Sequence, residues 1–134
     1  MVEKMTINQI KAEEFVQLWA KYVNALDVPS IVGLYNEETV LLPTFSPKVV
    51  RAEEDLTQYF TNLGSKAGLA IHLDEETFNC VHIENKSYVL TGFYTFEFEV
   101  DGVLTQFPSR FTFVIDLARE KPVLQHHSSV VPTP

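Results

Sequence analysis

Two strand-forming segments joined by Asp101-Gly102 constrain the fold of this chain more than any other feature. The segments Ser87–Val100 and Val103–Asp116 are both rich in aromatic and β-branched residues, which favour strands. Asp-Gly between two such segments is a strong signal for a two-residue hairpin turn. The sequence therefore predicts a long antiparallel hairpin, with Pro108 marking a bulge or bend in its second arm.

Amphipathic helices are predicted before this hairpin. Apolar residues recur at three- to four-residue spacing along residues 10–26, and Thr6 or Asn8 can cap the start of that helix. Asp27 begins an Asp-Val-Pro sequence that predicts a break and a short second helix. Residues 52–63 repeat the helical apolar pattern and predict a third helix.

The order of these elements indicates the α+β class. Strands are expected at residues 39–43, 69–83 and 123–131 in addition to the hairpin. Helices first and antiparallel strands afterwards are typical of α+β domains. We predict a single cone-shaped domain over residues 1–134, in which a curved antiparallel sheet wraps on the N-terminal helices and leaves a cavity between the two layers.

Charge and composition exclude some classes of partner. The formal net charge is −8, which argues against nucleic acid and anionic membranes, because both require a basic protein surface. No apolar run reaches the roughly 18 residues of a membrane span, and no signal-peptide pattern is visible. The single cysteine, Cys80, is expected to be a buried small hydrophobe. These features predict a cytoplasmic protein.

The segment Gln125-His126-His127-Ser128-Ser129 is the most informative candidate for a functional site, because such a polar run is unusual inside a terminal strand. Strand alternation places Gln125, His127 and Ser129 on one face. It places His126 and Ser128 on the other. We expect His127 and Ser129 to line a common cavity. The alternative is that one histidine lies in a dimer interface or is a hydrogen-bonded core residue.

Three further polar residues lie where they can face the same cavity. Arg110 stands among the phenylalanines of the hairpin, so it can hold an anion or position a hydroxyl; the alternatives are an exposed residue or a structural ion pair. Thr44 lies on a loop constrained by Pro43 and Pro47. Tyr59 shares an apolar helix face, so its ring is expected to be buried and its hydroxyl to need a partner. Taken alone, Thr44 and Tyr59 also have a structural interpretation.

The histidines do not favour a metal site. The chain has four of them, His72, His82, His126 and His127, and the adjacent pair points to opposite faces of a strand. A catalytic zinc site normally has three protein ligands. The sequence has no Walker loop, dinucleotide-binding glycine pattern or nucleophile elbow. We therefore expect no cofactor, with zinc or manganese as the alternative.

Five motifs together carry a resemblance to a known family. They are Leu41-Leu42-Pro43-Thr44-Phe45-Ser46, Tyr59-Phe60, Thr91-Gly92-Phe93-Tyr94-Thr95-Phe96, Arg110-Phe111-Thr112-Phe113-Val114 and His126-His127-Ser128-Ser129. In this order and spacing they resemble the SnoaL-like group that includes the kinase II association domain, and most of all its branch of iota-class carbonic anhydrases. The resemblance covers nearly the whole chain.

The resemblance implies a fold, a reaction and an assembly. The fold is a cone-shaped α+β barrel, as in nuclear transport factor two and ketosteroid isomerase, and members usually form homodimers through the sheet. The reaction is the reversible hydration of carbon dioxide to bicarbonate, metal-dependent in some members and metal-free in others. In the metal-free type, hydroxyl side chains in the cone bind bicarbonate and the reacting water. The implied catalytic residues are Thr44, Tyr59, His127 and Ser129, and the implied substrate-binding residues are Arg110, Phe111 and Gln125.

The sequence departs from the family motif at one position, and two other functions remain as alternatives. The family motif often has three consecutive histidines, and Gln125 stands at the first of these positions. If that imidazole is a ligand or a proton shuttle, activity is expected to be weaker. The other functions are a non-catalytic cone domain for ligand binding or assembly, and an isomerase or cyclase. The latter needs a carboxylate base in the pocket, and Glu97 and Glu99 are expected to be exposed.

Overall fold

The computed structural model describes residues 11–134, which form helices followed by a sheet. The elements of this part of the chain are α1 Ala12–Asn24, α2 Val28–Val32, β1 Tyr35–Leu42, α3 Glu53–Gly64, β2 Ala70–Glu84, β3 Ser87–Val100, β4 Val103–Asp116 and β5 Val123–Val130. The predicted α+β class is confirmed. The helix caps expected at Thr6 or Asn8 lie outside the described residues.

The five strands form one curved sheet in the order β1-β5-β4-β3-β2. The predicted β3–β4 hairpin is confirmed. It keeps one register over its whole length, so Pro108, where a bulge or a bend was expected, does not form a bulge. Asp101 and Gly102 have φ values of 53° and 76°, the left-handed conformation that a two-residue hairpin turn requires. The expectation of a wholly antiparallel sheet was wrong, because β1 runs parallel to β5.

The helices cover one face of the sheet, which we call the inner face. Phe15 and Trp19 of α1 are buried, and their rings lie 5.6 Å and 5.5 Å from the ring of Phe113 on β4. Asp27 caps α2, since its carboxylate accepts hydrogen bonds from the backbone and the hydroxyl of Ser30. The opposite side of the sheet, the outer face, carries no helix in the described part of the chain.

A bulge at Leu124 determines which side chains of β5 point inward. Two successive residues of β4, Val114 and Ile115, pair with Gln125 and Val123, so Leu124 between them has no partner on β4. One extra residue shifts the two-residue alternation of a strand by one position. Beyond the bulge, the buried residues of β5 are His126 and Ser128.

Cys80 is exposed, so the expectation of a buried thiol was wrong. The physical reason is its position on β2, the edge strand, whose second half from Asn79 onward is exposed at every residue. Among the helices of residues 11–134, none is both long and apolar enough to cross a lipid bilayer.

Candidate functional site

The buried polar residues of β5 belong to a connected group of side chains on the inner face. Ser128 Oγ lies 2.6 Å from the Tyr94 hydroxyl and 2.6 Å from Oγ1 of Thr44. Nε2 of His126 lies 3.1 Å from the same Tyr94 hydroxyl, and Nδ1 lies 2.8 Å from the Tyr35 hydroxyl. We call these five residues, Thr44, Ser128, Tyr94, His126 and Tyr35, the hydroxyl cluster.

Burial keeps the titratable groups of the hydroxyl cluster neutral at ordinary pH. Burial, with a smaller effect of the neighbouring His127, lowers the pKa of His126 to about 3. Burial also raises the pKa of Tyr94 and of Tyr35 well above the ordinary value of a phenol. The cluster therefore consists of hydrogen-bonding groups without a formal charge.

The protons of this network can be assigned in one consistent way, starting from the tryptophan at its inner end. Trp19 Nε1–H can only donate, and it donates to the Tyr35 oxygen at 3.1 Å. Tyr35 then gives its one proton to Nδ1 of His126. The neutral imidazole carries its proton on Nε2 and donates to Tyr94, which donates to Ser128.

The reverse tautomer leaves this network incompletely bonded. With the proton on Nδ1, His126 would donate to Tyr35, whose own proton would then have no acceptor in the cluster. Tyr94 would also have to supply one proton to both Nε2 and Ser128. The series of hydrogen bonds therefore runs outward from Trp19 and ends at the hydroxyls of Ser128 and Thr44. One of these two hydroxyls donates its proton to the other, and the remaining hydroxyl proton is available to a ligand.

Tyr59 of α3 stands beside the outer end of the hydroxyl cluster. Burial raises its pKa to about 12, against the effect of a hydrogen bond with the Phe45 backbone. The ring of Tyr59 lies 5.1 Å from the ring of Phe60, which in turn lies 5.7 Å from the ring of Tyr35. It also lines a groove of about 570 Å³ between α3 and the loop after β1. Thr44 and Tyr59 are half-buried, so the cluster approaches the surface at this end.

The residues predicted for the site lie on both faces of the sheet. Those on the inner side are Thr44, Tyr59 and Phe111, and those on the outer face are Arg110, Gln125, His127 and Ser129. His127 and Ser129 line one pocket, as expected, but this pocket is on the outer face, because beyond the bulge at Leu124 it is His126 and Ser128 that point inward. A shallow depression of about 250 Å³ at the sheet edge reaches both Thr44 and Ser129, but Thr44 bonds Ser128.

Tyr35, Tyr94 and Ser128 were missed by the sequence analysis, whereas His126 is the hydrogen-bonded core histidine that was kept as an alternative. Alternation counted without the bulge puts Ser128 and His126 on the outer face. The inward position of Tyr94 could have been predicted from the sequence, because Tyr94 shares its strand face with Phe96 and Phe98. By the same count Phe93 faces outward, and it is 46% exposed.

The described residues do not offer a ligand set for a metal ion. Within residues 11–134, no three His, Cys, Asp or Glu side chains come close enough together to hold one. The hydroxyl cluster contains a single imidazole and no carboxylate or thiolate, whereas a catalytic zinc site normally has three such ligands. Zinc or manganese therefore does not fit this group of side chains.

Comparison with known proteins identifies the fold. The sequence matches no family model and no curated protein sequence. The structure is similar to a domain from Xanthomonas campestris that is described as a calcium/calmodulin dependent protein kinase II association domain. The TM-score is 0.80 at 25% identity, over 90% of this chain and 86% of that chain.

Two further solved structures have the same architecture at lower identity. One is an NTF2-like protein with a cystatin-like fold from Novosphingobium aromaticivorans, with a TM-score of 0.72 at 10% identity over 92% of this chain and 82% of that chain. The other is a ketosteroid isomerase-like protein from Erwinia carotovora, with a TM-score of 0.71 at 13% identity over 90% of this chain and 94% of that chain. The chain thus has the α+β cone fold of these proteins.

Proposed function

We propose that this cone-fold chain hydrates carbon dioxide reversibly to bicarbonate at the outer end of the hydroxyl cluster, without a metal. The observation that carries the proposal is the directed chain of hydrogen bonds that ends on Ser128 and Thr44. The resemblance to the iota-class carbonic anhydrases supports it independently, because it implies hydroxyl side chains inside the cone as the reacting groups.

The reaction needs donors that are held in place where negative charge develops. A water oxygen forms a bond to the carbon of carbon dioxide, charge grows on the carbon dioxide oxygens, and one proton of the water is released. Donors fixed before the reaction stabilise this charge without reorganising. The free hydroxyl proton of the Ser128–Thr44 pair is such a donor, and the hydrogen-bonded chain behind it polarises it further.

The neutrality of the hydroxyl cluster favours an anionic product. None of its members is a carboxylate, so nothing in the cluster repels bicarbonate. His126, with a pKa of about 3, is too weak a base to take the released proton, which passes to solvent or buffer. Tyr59, with a pKa of about 12, stays protonated and supplies a second donor beside the pair.

The catalytic residues of this proposal are Thr44, Ser128 and Tyr59. Ser128 replaces Ser129, since the Ser128 hydroxyl bonds Thr44. Phe111 has a positioning role, because its ring stacks on the Tyr94 ring at 4.7 Å. His127, Arg110 and Gln125 lie on the outer face and have no part in the reaction. The glutamine that departs from the three-histidine motif therefore leaves the hydroxyl cluster intact.

The same cluster argues against isomerase or cyclase chemistry. Proton abstraction next to a carbonyl needs a base such as a pocket carboxylate. The hydroxyl cluster has no Asp or Glu. Glu97 pairs with Ala70 on β2 and Gln106 on β4, and its carboxylate lies 3.4 Å from Nε2 of His72 rather than in the cluster.

The second candidate is a non-catalytic cone domain that binds a small ligand or assembles protomers. It is favoured by the similarity to the association domain from Xanthomonas campestris and by the groove beside Tyr59, whose volume of about 570 Å³ is much larger than carbon dioxide requires. Assembly as a homodimer and a cytoplasmic location are part of the proposal in either case.

The test is carbon dioxide hydration by stopped flow, with and without a strong chelator, on wild type and two variants. Ser128→Ala and Ser129→Ala form a matched pair, because the same atom is removed from adjacent positions on opposite faces of β5. We expect wild-type activity to survive chelation, Ser128→Ala to lose about a hundredfold in kcat/KM, and Ser129→Ala to keep it. Equal loss in both variants contradicts the assignment of Ser128. Inactivity of the wild type under both conditions supports the ligand-binding or assembly function.

A further inference from the structure

Thr44 and its neighbour Phe45 lie in a turn of the loop that connects β1 to α3. Two backbone hydrogen bonds between Leu41 and Val50, of 2.8 Å and 2.9 Å, close this loop at its base. These bonds fix the two ends of the loop. The position of the Thr44 side chain therefore depends on the contacts that the turn itself makes with the inner face.

The two side chains of the turn make contacts of different kinds. Thr44 Oγ1 lies 2.6 Å from Oγ of Ser128, in the hydroxyl cluster. The half-buried ring of Phe45 meets three other phenylalanine rings edge to face, at centroid distances of 5.2 Å, 5.2 Å and 5.4 Å, which is a favourable geometry for aromatic pairs. These three residues, which we call the phenylalanine cluster, are Phe96, Phe98 and Phe107.

The phenylalanine cluster is a fixed reference for the loop because it belongs to the β3–β4 hairpin. Phe96 is buried and is paired directly with Phe107 across the two strands. Its ring also lies 5.1 Å from the ring of Tyr94, whose hydroxyl donates to Ser128. The hairpin therefore fixes the position of the Phe45 ring relative to that of the Ser128 hydroxyl.

The hydrogen bond between Thr44 and Ser128 is a weak restraint on the loop by itself. Thr44 is half-buried at the end of the hydroxyl cluster that approaches the surface, so water can replace Ser128 as its partner at little net cost. Water does not compete in this way for the Phe45 ring, because contact with the phenylalanine cluster removes apolar surface from water. The apolar contact is therefore the one that holds the turn in place.

We propose that Phe45 is a positioning residue, whose ring, seated in the phenylalanine cluster, holds the Thr44 hydroxyl against that of Ser128. This inference rests on the proposed function, in which the Ser128–Thr44 pair stabilises the transition state. Donors act there only when they are in place before the reaction, and a displacement of about 1 Å can cost about a hundredfold in rate. Phe45 touches no reacting atom and acts only through Thr44.

The first test measures the order of the Thr44 side chain without an enzyme assay. Full-length protein is labelled with carbon-13 at the threonine methyl groups, and NMR relaxation gives the order parameter of the Thr44 methyl. We expect a rigid methyl in wild type and a clearly lower order parameter in Phe45→Ala. Phe45→Leu keeps part of the apolar contact, so its order parameter should lie between the two, and this variant serves if the alanine impairs folding.

Tyr88→Ala is the matched control, because it removes another half-buried ring, at the beginning of β3, that stacks on His82. The order parameter of the Thr44 methyl should equal the wild-type value in this variant. An equal decrease in Tyr88→Ala would mean a general loss of rigidity and would overturn the proposal. A wild-type order parameter in both Phe45 variants would overturn it as well.

The second test asks whether Phe45 acts through Thr44, by a double-mutant cycle on carbon dioxide hydration. Phe45→Ala should lower kcat about tenfold or more with KM unchanged, but less than about threefold in the Thr44→Val background, since the same hydroxyl cannot be lost twice. Equal losses in the two backgrounds would overturn the proposal. An inactive wild type would contradict carbon dioxide hydration alone, because the order parameter of Thr44 still decides whether Phe45 positions it.

Discussion

Ser128 and Ser129 are neighbours in β5, but their side chains point to opposite faces of the sheet and only the Ser128 hydroxyl belongs to the hydroxyl cluster. The Ser128 hydroxyl is 5% exposed and bonds Tyr94 and Thr44 in the hydroxyl cluster. Ser129 is half-buried and lines a shallow pocket of the outer face with Arg110. The sheet between them separates a neutral, buried hydroxyl network from a surface that carries the exposed Arg110. Variants of the two serines can therefore separate the contribution of the hydroxyl cluster from that of the outer face.

Thr44 is expected to act through its hydroxyl rather than through its shape. Thr44→Val keeps the volume but removes the hydrogen bond to Ser128, so carbon dioxide hydration should fall tenfold or more, while Thr44→Ser should stay within about threefold of wild type. Stopped-flow kcat/KM is the measurement. Thr112→Val, the same change on the outer face, is the control and should be without effect. Full activity in Thr44→Val would remove Thr44 from the mechanism.

Tyr94→Phe should reduce both stability and activity. The phenol donates to Ser128 and accepts from Nε2 of His126, so its removal leaves a buried imidazole N–H without a partner. Such a loss costs about 1–3 kcal/mol in the free energy of unfolding, which urea titration measures. Tyr88→Phe, at a half-buried tyrosine that stacks on His82, is the control and should change stability by less than about 1 kcal/mol. Wild-type stability in Tyr94→Phe would contradict the proposed network.

The stability of the protein should fall with pH because of His126. Its pKa is about 3 in the folded state and 6.5 when unperturbed, so between these values the unfolded state binds the extra proton. The free energy of unfolding therefore decreases as pH falls below 6.5, and the contribution of His126 is about 2 kcal/mol between pH 7 and pH 5. Urea titrations at these two pH values measure it.

The variant His126→Phe isolates this contribution. It removes the titrating group while keeping a ring against Phe113, whose centroid is 3.9 Å away. The difference in stability between pH 7 and pH 5 should shrink by about 2 kcal/mol. His82→Gln, at an exposed histidine, should keep the wild-type difference. If His126→Phe retains it too, His126 is not the buried neutral group that the structure describes.

Gly92 should not tolerate a side chain. A Cβ at this position would lie 2.6 Å from a ring carbon of Phe78 and 3.0 Å from one of Phe111, so Gly92→Ala forces two packed rings to move. Overpacking of this kind costs about 1–3 kcal/mol. Gly64→Ala is the control: the nearest atom, on Leu26, is 3.7 Å away, and alanine is favoured in a helix. Thermal unfolding should show a lower Tm for Gly92→Ala and an equal or higher Tm for Gly64→Ala.

Local features of the chain were readable from the sequence. The Asp101-Gly102 turn, the Asp27 cap and the helix beginning near residue 52 depend on conformational preferences of a few consecutive residues. The same is true of Thr44, which two nearby prolines hold on a loop, and of Tyr59, which an apolar helix face directs inward. For these residues the neighbours along the chain carry the necessary information.

The composition of the site was decided by pairing between distant strands. The unpaired Leu124 reverses the alternation of β5, and this bulge exists only because β5 is aligned with β4. As a result, Ser128 rather than Ser129 belongs to the hydroxyl cluster, and Ser129 lies with Arg110 on the opposite face. The sequence by itself determined that Thr44 lies on a loop, that Tyr59 lies on a helix and that the polar segment of residues 125–129 lies on a strand. Which of them meet was decided only by the tertiary structure, since a one-residue change of register turns every following side chain to the other face.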